Sequence, residues 1–259
     1  MALSDNLVAA YLLESDGSDS VGSYDLTLNN SPSFVSGKNN NCVDLEASST
    51  QYLSRTDNLD VSLASDQSIS LWFTVEASPT SGNRYNLIHK ADDYPSNSSW
   101  VTFYYNNSGT LILYSAGGAG YGTDTYTTTL SLDTFYHLVV TLDYGDGSSR
   151  TMKTYLNGSE VMSSNMTAAW TPGTADKLFH LGNQANVGSR EWDGKLDECY
   201  FWDRVLTSSE VTELYNSGSG KFYPFTSTTI GKVSGVTYAN VAKVNGVTKA
   251  NIAKINGIA

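Results

Sequence analysis

The chain has 259 residues, of which 40% are hydrophobic and only 16% are charged, so it has enough apolar material for a sizeable core. The formal net charge of −11 argues against a nucleic-acid partner. We find neither a basic, apolar leader at the N-terminus nor an apolar run of membrane-spanning length, so the sequence predicts no standard secretion signal and no membrane insertion.

Short β-type runs alternate with turn clusters between residues 7 and 206, a pattern typical of an all-β sandwich or jelly roll. The two cysteines, Cys42 and Cys199, lie inside such runs and are expected to be buried, although a disulfide between them stays open. We predict two antiparallel sheets built from strands at 7–13, 25–29, 42–47, 51–55, 68–76, 85–90, 100–106, 110–115, 125–131, 135–143, 151–157, 177–182 and 195–203.

The stretch from Gly194 to Leu206 carries bulky apolar groups on both sides of an extended segment, so it predicts a strand buried on both faces. Strict alternation places Leu196, Glu198, Tyr200 and Trp202 on one face. It places the intervening residues on the other face: Asp197, Cys199, Phe201 and Asp203.

A short helix is predicted directly after this strand. Thr207 stands at the position of an N-cap, and Glu210 follows three residues later as its capping-box partner. Val211 and Leu214 begin a short apolar stripe, and Gly218 is the expected stop signal.

The Asp-Glu pair at 197–198, the Arg-x-Leu at 204–206 and Glu210 resemble the last strand and terminal helix of laminin G-like domains in the concanavalin A-like lectin and glucanase superfamily. Further segments agree in order and spacing with that family: 7–13, 68–73, and the hairpin formed by 137–142 and 153–158. The resemblance covers residues 5–220 and implies an antiparallel jelly roll with one short C-terminal helix.

The composition changes after Tyr223, and we predict a jelly roll at 1–223, a linker at 224–229 and a repeat tail at 230–259. Three copies of an eleven-residue repeat fill the tail, with Lys, Val or Ile, and Gly at fixed places. Eleven residues also fit a helical repeat, but a glycine in every copy and the many β-branched residues favour β-strands. The Asn-Gly pair at 245–246 is a hairpin signal.

A lone two-stranded ribbon is marginally stable in water, so the tail is expected to need a partner surface or further copies of itself. We therefore interpret the tail as an assembly element and expect a homo-oligomer, with a trimer as the favoured state. The candidate assembly residues are the repeated Lys and Val or Ile positions: Lys232, Val233, Lys243, Val244, Lys254 and Ile255.

Glucanases of the superfamily carry their catalytic carboxylates on one strand, in the pattern Glu-x-Asp-x-x-Glu or one residue longer. In this chain Glu191, Asp193 and Glu198 leave a gap of four residues, and Gly194 interrupts it. The three histidines lie in apolar, strand-like runs, and no Gly-x-Ser-x-Gly motif is present. We therefore expect a protein without catalytic activity.

The resemblance implies one calcium ion, held between the loop after the first strand and the aspartate of the last strand. The matching residues are Asp19, Asp25 and Asp197, whose carboxylates are hard oxygen ligands. The loop departs from the family pattern at Val21 and Tyr24. The alternative, in which the loop aspartates only form turns and Asp197 pairs with a basic residue, stays open.

Tyrosine and tryptophan are abundant, with 17 and 5 residues, and many of them lie near loops. Such rings stack on sugars, and nearby amides hydrogen-bond to hydroxyl groups. The candidate ligand-binding residues are Trp100, Tyr121, Tyr126, Trp170 and Asn183.

These features predict a non-enzymatic, lectin-like structural protein of a bacteriophage particle, which displays a glycan-binding jelly roll and is anchored by its repeat tail. Its expected location is the virion surface after synthesis in the host cytoplasm, and its expected partners are other virion proteins, further copies of itself and a cell-surface glycan. One alternative is a free carbohydrate-binding module or adhesin with calcium, and another is a glycoside hydrolase.

Overall fold

Antiparallel strands make up nearly all the regular structure in the computed structural model of the chain. The structure describes residues 1–56, 65–79, 84–90, 100–106, 110–114, 125–145, 149–167, 178–184 and 188–225, together with four two-residue strands between 232 and 248. The chain divides into two compact units, Met1–Tyr223 and Pro224–Ala259.

The strands of the first unit are, in chain order, β1 (Leu7–Tyr11), β2 (Thr27–Asn29), β3 (Ser33–Ser36), β4 (Asn41–Leu45), β5 (Tyr52–Thr56), β6 (Gln67–Phe73), β7 (Arg84–Lys90), β8 (Trp100–Asn106), β9 (Thr110–Tyr114), β10 (Thr125–Thr129), β11 (Tyr136–Asp143), β12 (Ser149–Leu156), β13 (Ser159–Thr167), β14 (Leu178–Leu181) and β15 (Gly194–Trp202). Helix α1 (Ser208–Tyr215) follows β15, and 3₁₀ turns cover Ala47–Ser49 and Asn216–Gly218.

Two antiparallel sheets share one apolar core. The first sheet has the strand order β13-β12-β11-β6-β15-β4-β3, and β1 also pairs with β15. The second sheet has the order β10-β9-β8-β7-β14-β5-β2. Buried residues from both sheets, such as Leu71 and Leu138 from the first and Leu53 and Leu181 from the second, belong to the same core cluster. The predicted jelly-roll sandwich is confirmed.

Two strands escape prediction from the sequence, β3 and β13, and both lie at an edge of the first sheet. An edge strand has a neighbour on one side only, so it needs fewer apolar side chains than a central strand does. β13 accordingly reads Ser-Glu-Val-Met-Ser-Ser-Asn-Met-Thr, without a clear apolar alternation. The turn that leads into it is formed by Asn157 and Gly158, with φ values of 51° and 77°.

A β-bulge at Glu198 changes the predicted alternation in β15. Glu198 has a φ of 50°, and the register of β15 against β6 shifts at this point. Leu196, Cys199 and Phe201 therefore all lie in the core cluster. The prediction that Leu196 faces away from Cys199 is wrong because the extra residue changes which side faces the core. The prediction of burial on both faces is confirmed.

Helix α1 begins with the predicted capping box. The Thr207 hydroxyl accepts a hydrogen bond from the Glu210 backbone N–H at 3.3 Å, and the Glu210 carboxylate accepts one from the Thr207 N–H at 2.8 Å. The helix ends earlier than predicted, because Asn216 already adopts a left-handed conformation with a φ of 47°. Gly218 thus lies beyond the helix end.

A buried ion pair fixes the helix to the end of the sheet. The two terminal nitrogens of Arg204 bind the two carboxylate oxygens of Glu210 at 3.0 and 2.9 Å. Arg204 also donates to the backbone oxygens of Ala2 and Asp5, which ties the N-terminal segment to the same point. Burial alone would raise the pKa of Glu210, but the hydrogen bonds from Arg204 and Thr207 hold it below its ordinary value.

The described residues of the second unit form two antiparallel pairs. β16 (Lys232–Val233) pairs with β17 (Val236–Thr237), and β18 (Lys243–Val244) pairs with β19 (Val247–Thr248). Strands are therefore confirmed over a helix for these residues. Lys254 and Ile255 lie outside the described residues.

Both cysteines are buried in the first unit and carry free thiols. The disulfide that the sequence left open is thus not formed. Within the described part of the chain, no helix has the length and hydrophobicity needed to cross a bilayer.

We expect Glu210→Ala to lower the free energy of unfolding by about 3–5 kcal/mol, because it leaves the buried Arg204 cation without its partner. Urea-induced unfolding measures this change. Glu213→Ala, on the exposed side of the same helix, is the matched control and is expected to cost less than about 0.5 kcal/mol. Equal losses in the two variants would contradict a structural role for the buried pair.

Candidate functional site

An open cleft lies where the connection between β4 and β5 approaches the segment that leads into β15. Its volume is about 340 Å³. One wall comes from the 3₁₀ turn at Ala47–Ser49, and the opposite wall comes from residues 189–193. The residues that line it are Ala47, Ser48, Thr50, Pro79, Tyr85, Ser189, Glu191 and Asp193.

The two carboxylates of the cleft flank a buried tryptophan. Trp192 has no exposed surface, and its indole N–H donates to the backbone oxygen of Thr74 at 2.8 Å. The backbone around it pairs like a strand, with Trp192 N–H donating to Gly182 and Asp193 accepting from Glu76. Neighbouring side chains in such a segment point in opposite directions, so burial of Trp192 turns Glu191 and Asp193 toward the cleft.

Gly194 sets the close approach of this segment to the end of β6. Its φ is 141°, and a Cβ atom at this position would lie 2.4 Å from the backbone oxygen of Thr74. Only glycine fits such a contact. Gly194, which interrupts the row of acids in the sequence, is the first residue of β15.

The cleft combines an aromatic ring, hydroxyl groups and carboxylates. Burial, followed by the negative charge of Asp193, raises the pKa of Tyr85 to about 12. Burial and the nearby Glu46 also raise the pKa of Asp193, which the backbone N–H of Ala47 only partly offsets. Hydroxyl groups of Ser48, Thr50 and Ser189 complete the lining. This set can stack on a ring and exchange hydrogen bonds with several hydroxyl groups at once.

An acidic group adjoins the cleft behind Asp193. Carboxylate oxygens of Asp44, Glu46 and Glu76 all lie within 4.8 Å of one another, and this is the one such group among the described residues. Lys195 forms an ion pair with Glu76. Burial, followed by the charge of Glu76, raises the pKa of Asp44. The negative potential of the cleft therefore extends beyond its lining.

The Asp-Glu pair of β15 is buried beneath the segment at 37–41, and we call this second acidic site the Asp197 pocket. Asp197 is fully buried, and its Oδ2 accepts hydrogen bonds from the backbone N–H groups of Lys38 and Asn39 at 2.7 and 3.1 Å. Its Oδ1 has no hydrogen-bond partner among the described residues. Glu198 accepts from the Asn39 amide at 2.6 Å and from the Tyr200 hydroxyl. The bulge at Glu198 allows both acids to face this pocket.

Burial dominates the electrostatics of that pocket. It raises the pKa of Asp197 to about 8, although the backbone hydrogen bond from Asn39 works against the shift. It raises the pKa of Glu198 to about 7 in the same way, against the hydrogen bonds of Tyr200 and Asn39. None of the ion pairs among the described residues involves either carboxyl group, so no paired cation offsets the effect of burial on the two pKa values.

The structure brings together two of the three predicted calcium ligands. Asp19 and Asp25 lie in one loop, where the Asp19 N–H donates to Asp25 at 2.9 Å. The Asp19 carboxylate accepts hydrogen bonds from four backbone N–H groups, those of Ala10, Val21, Gly22 and Tyr24. Asp197 does not form a compact cluster with them. Among the described residues, the group of three acids with closely spaced carboxylate oxygens is the one beside the cleft, and it contains none of these three aspartates.

Of the predicted ligand-binding residues, the two whose side chains the structure describes, Tyr126 and Asn183, do not line the cleft. Tyr126 packs against the apolar core, and Asn183 is buried and accepts from the Gln184 N–H at 2.7 Å. Trp100 belongs to β8, but its side chain lies outside the described residues, as do Tyr121 and Trp170 entirely.

The histidines occupy positions that fit the expectation of core or sheet-face residues. His137 is buried, with Nε2 2.9 Å from the Ser70 hydroxyl, and Nδ1 has no partner among the described residues. This Ser-His pair therefore lacks the carboxylate of a catalytic triad. His89 and His180 are cross-strand neighbours in the second sheet, and burial lowers their pKa values to about 3 and about 4.

Sequence reasoning identified Glu191 and Asp193 as acids but not as cleft residues. The sequence feature that could have identified them is the order Glu-Trp-Asp-Gly directly before a core strand. In an extended segment, a buried tryptophan places the side chains of its two neighbours on the opposite, outer face. Tyr85 and Ser48 carried no comparable signal. They come from separate segments that only the fold brings to the cleft.

In a calcium chelator, we expect Asp197 and Glu198 to make the free energy of unfolding fall as the pH rises from about 4 to about 8. Folded Asp197 and Glu198 keep their protons up to about pH 8 and about pH 7, whereas unfolded carboxyl groups lose theirs near pH 4. Their contribution to stability is therefore fully present below about pH 4 and is lost as the pH rises to the folded values, by up to about 1.4 kcal/mol per pH unit for each group.

Urea unfolding across this range measures the slope. The histidines of the unfolded chain titrate near pH 6.5, inside the range, and contribute equally in wild type and Asp197→Asn, so the two profiles are compared. Asp197→Asn is expected to flatten the profile, while Glu160→Gln, at an exposed carboxylate, keeps the wild-type slope. An equal slope in wild type and Asp197→Asn would show that the buried acid does not titrate as argued.

Comparisons with known proteins agree with this architecture. The laminin G-like family model of the concanavalin A-like lectin/glucanases superfamily matches residues 47–212. No curated protein sequence matches the chain. Among solved structures, domain 4 of AbnA, a GH43 extracellular arabinanase from Geobacillus stearothermophilus in complex with arabinotriose, is 22% identical with a TM-score of 0.59, and the match covers 80% of this chain and 97% of that domain.

Two further structures are similar over a smaller share of their own length. The binding domain of Paraclostridial Mosquitocidal Protein 1 is 20% identical with a TM-score of 0.61, and the match covers 83% of this chain and 53% of that one. A Trypanosoma rangeli sialidase is 15% identical with a TM-score of 0.62, with 82% and 33% covered. At these identities the similarity establishes the fold. Because the family model covers well over half of the chain, the protein belongs to the concanavalin A-like lectin/glucanases superfamily.

Proposed function

We propose that the protein is a non-enzymatic glycan-binding protein and that the cleft beside Trp192 is its binding site. The observation that carries this proposal is the lining of the cleft: the Tyr85 ring, the carboxylates of Glu191 and Asp193, and several hydroxyl groups face one open space of about 340 Å³. A sugar presents apolar C–H faces and many hydroxyl groups, so it matches this combination of groups.

The fold supports the same conclusion by analogy. The similar arabinanase domain was solved with arabinotriose, and the similar toxin segment is a binding domain. Folds of this kind carry several unrelated functions, so the cleft and not the fold provides the argument for this chain.

The separation of the acids favours binding over hydrolysis. Glu191 and Asp193 line the cleft, whereas Glu198 is fully buried in the other pocket and is held there by Asn39 and Tyr200. The carboxylates that resemble the glucanase pattern thus do not share one surface. A glycosidase needs two of them on either side of the scissile bond, one as the acid and one as the nucleophile or base.

We further propose that one calcium ion binds in the Asp197 pocket. The fit rests on the buried Asp197 Oδ1, which lacks a partner among the described residues, and on the nearby oxygen groups of Glu14, Asn39 and Glu198. Hard oxygen donors of this kind suit calcium. A bound cation would neutralise the two buried carboxylates and hold the segment at 37–41 against β15.

For the tail, we propose the assembly role that its repeats predict, as part of a bacteriophage particle. The pairing of Lys243–Val244 with Val247–Thr248 is compatible with short hairpins that need a further surface for stability. The virion surface as the location, and a homo-oligomer as the state, stay predictions from the sequence.

Binding of a neutral trisaccharide panel by isothermal titration calorimetry tests the cleft. Ser48→Trp is expected to abolish binding, because a large side chain at this exposed lining position fills the space. Asp193→Asn is expected to weaken binding at least tenfold, since the loss of a charge-assisted hydrogen bond costs roughly 1.5–3 kcal/mol.

Ser23→Trp, at an exposed serine in the Asp19 loop, is the matched control and should bind as the wild type does. Tyr126→Ala tests the position predicted from the sequence and should also leave the affinity unchanged if the variant stays folded by circular dichroism. Release of reducing sugar, or binding that survives Ser48→Trp, would count against the proposal.

Calcium is expected to raise the melting temperature. At a concentration about 100-fold above the Kd, binding to the folded state adds about 2.7 kcal/mol, or roughly 5–10 °C for a domain of this size. Asp197→Asn should remove the effect, whereas Asp19→Asn should keep it even if the starting stability is lower. The opposite pattern would place the ion in the loop after the first strand.

A further inference from the structure

The more buried of the two acids that line the cleft has no bonding partner of its own. Glu191 is only 8% exposed, and no described residue donates a hydrogen bond or forms an ion pair with its carboxylate. Its oxygens are not among the fully buried atoms that lack a partner, so they reach the open cleft. The unused hydrogen-bonding capacity of this carboxylate is therefore available to a ligand group that enters the cleft.

The surroundings of Glu191 are strongly negative. Asp193 lies two residues away on the same wall, and its carboxyl group feels the charges of Glu46, Glu76 and Asp44. Lys195 and Arg190 are the cations in this part of the described chain, but Lys195 is paired with Glu76 and Arg190 directs Nη1 to the Ser189 backbone oxygen. The site therefore has five carboxylates, those of Glu191, Asp193, Glu46, Glu76 and Asp44, and two cations, each of which already has a bonding partner.

We propose that the cleft selects glycans that carry protonated amines, such as glucosamine units, over neutral and acidic glycans. This inference rests on the proposed glycan-binding function and specifies its ligand class. An ammonium group beside Glu191 and Asp193 supplies both the hydrogen bonds and the opposite charge that the site lacks. A neutral hydroxyl supplies only the hydrogen bonds, and a sugar carboxylate meets repulsion.

The lining gives each part of such a ligand a place. Tyr85 offers a ring for the apolar face of the sugar, and Ser48 and Ser189 offer hydroxyl partners for neutral positions. The ammonium group belongs at Glu191, because this carboxylate is the most enclosed of the lining acids and is not engaged by the described residues. Glu191 is therefore the specificity-determining residue of the proposed site.

Calorimetric titration with three trisaccharides tests the selectivity: one of glucosamine, one of N-acetylglucosamine and one of galacturonic acid. We expect the glucosamine trisaccharide to bind at least tenfold more tightly than the acetylated one, and the galacturonic acid trisaccharide not to bind. Glu191→Gln should reduce the difference between the first two to less than threefold, while the affinity for the acetylated sugar changes little. Added salt should weaken only the binding of the amine.

Two controls separate specific from general attraction to the acidic protein, whose formal net charge is −11. Glu160→Gln removes one exposed charge elsewhere and should leave the preference intact, and Ser48→Trp should abolish binding of both the glucosamine and the N-acetylglucosamine trisaccharide. Glucosamine binding that persists in Ser48→Trp would overturn the proposal, because the attraction would then come from the surface at large.

The outcomes also separate this inference from the proposed function. If the neutral sugar binds in the cleft and the amine binds no better, the selectivity is wrong but the glycan site stands. If the preference survives Glu191→Gln, the assignment of the amine to Glu191 is wrong. If none of the sugars binds, both the site and its selectivity are wrong.

Discussion

Burial of β15 on both of its faces is the constraint on which the rest of the first unit depends. Its core side packs Leu196, Cys199 and Phe201 between the two sheets. On the other side, Trp202 is buried and donates its indole N–H to the Leu3 backbone oxygen. A strand that is held on both faces cannot shift, so the segments before and after it are fixed as well.

The segment that lines the cleft, the Asp-Glu pair and the anchor of the helix all lie within this strand or directly beside it in the sequence. Before it, Trp192 and Gly194 lock the chain against the end of β6 and turn two carboxylates into the cleft. Within it, the bulge at Glu198 gives the Asp-Glu pair a pocket of its own. After it, Arg204 holds the helix and the N-terminal segment together. The proposed glycan site, the proposed calcium site and the ion pair that anchors the helix therefore share one rigid support.

The two acidic sites differ in how water reaches them, and this difference separates their roles. The Asp197 pocket is buried, and its carboxylates have raised pKa values because burial disfavours their charge. The cleft is open, so its acids stay accessible to a ligand from solution. A small cation suits the buried Asp197 pocket, whereas the open cleft has room for a sugar.

Sequence patterns predict the fold well because they report periodicity and end signals. Alternation identified the central strands, and the spacing of Thr207 and Glu210 identified the helix start, since both depend on neighbours in sequence. The edge strands β3 and β13 escaped because they bury few side chains. The bulge at Glu198 was not predicted, because a positive φ is usually indicated by glycine in the sequence and here it occurs at a glutamate.

The candidate site was harder to predict, because it depends on contacts between distant segments. Tyr85, Ser48 and Asp193 are far apart in sequence and meet only in the folded sandwich. The abundance of aromatic residues near loops favoured Tyr126 as a ligand-binding residue. Tyr85 and Tyr126 both pack against the core and are partly buried, but of these two only Tyr85 lines the cleft. A tyrosine in a strand looks the same in sequence whichever side it faces, so composition alone does not separate the two.

The most direct test of the glycan site is to map it by nuclear magnetic resonance, from the amide shifts of the labelled protein during titration with a trisaccharide. The account predicts that the perturbed amides cluster at 47–50, 85 and 189–193, around the buried Trp192. A cluster around Tyr126, or on the face of the second sheet that carries His89 and His180, would contradict it and place the ligand elsewhere on the sandwich.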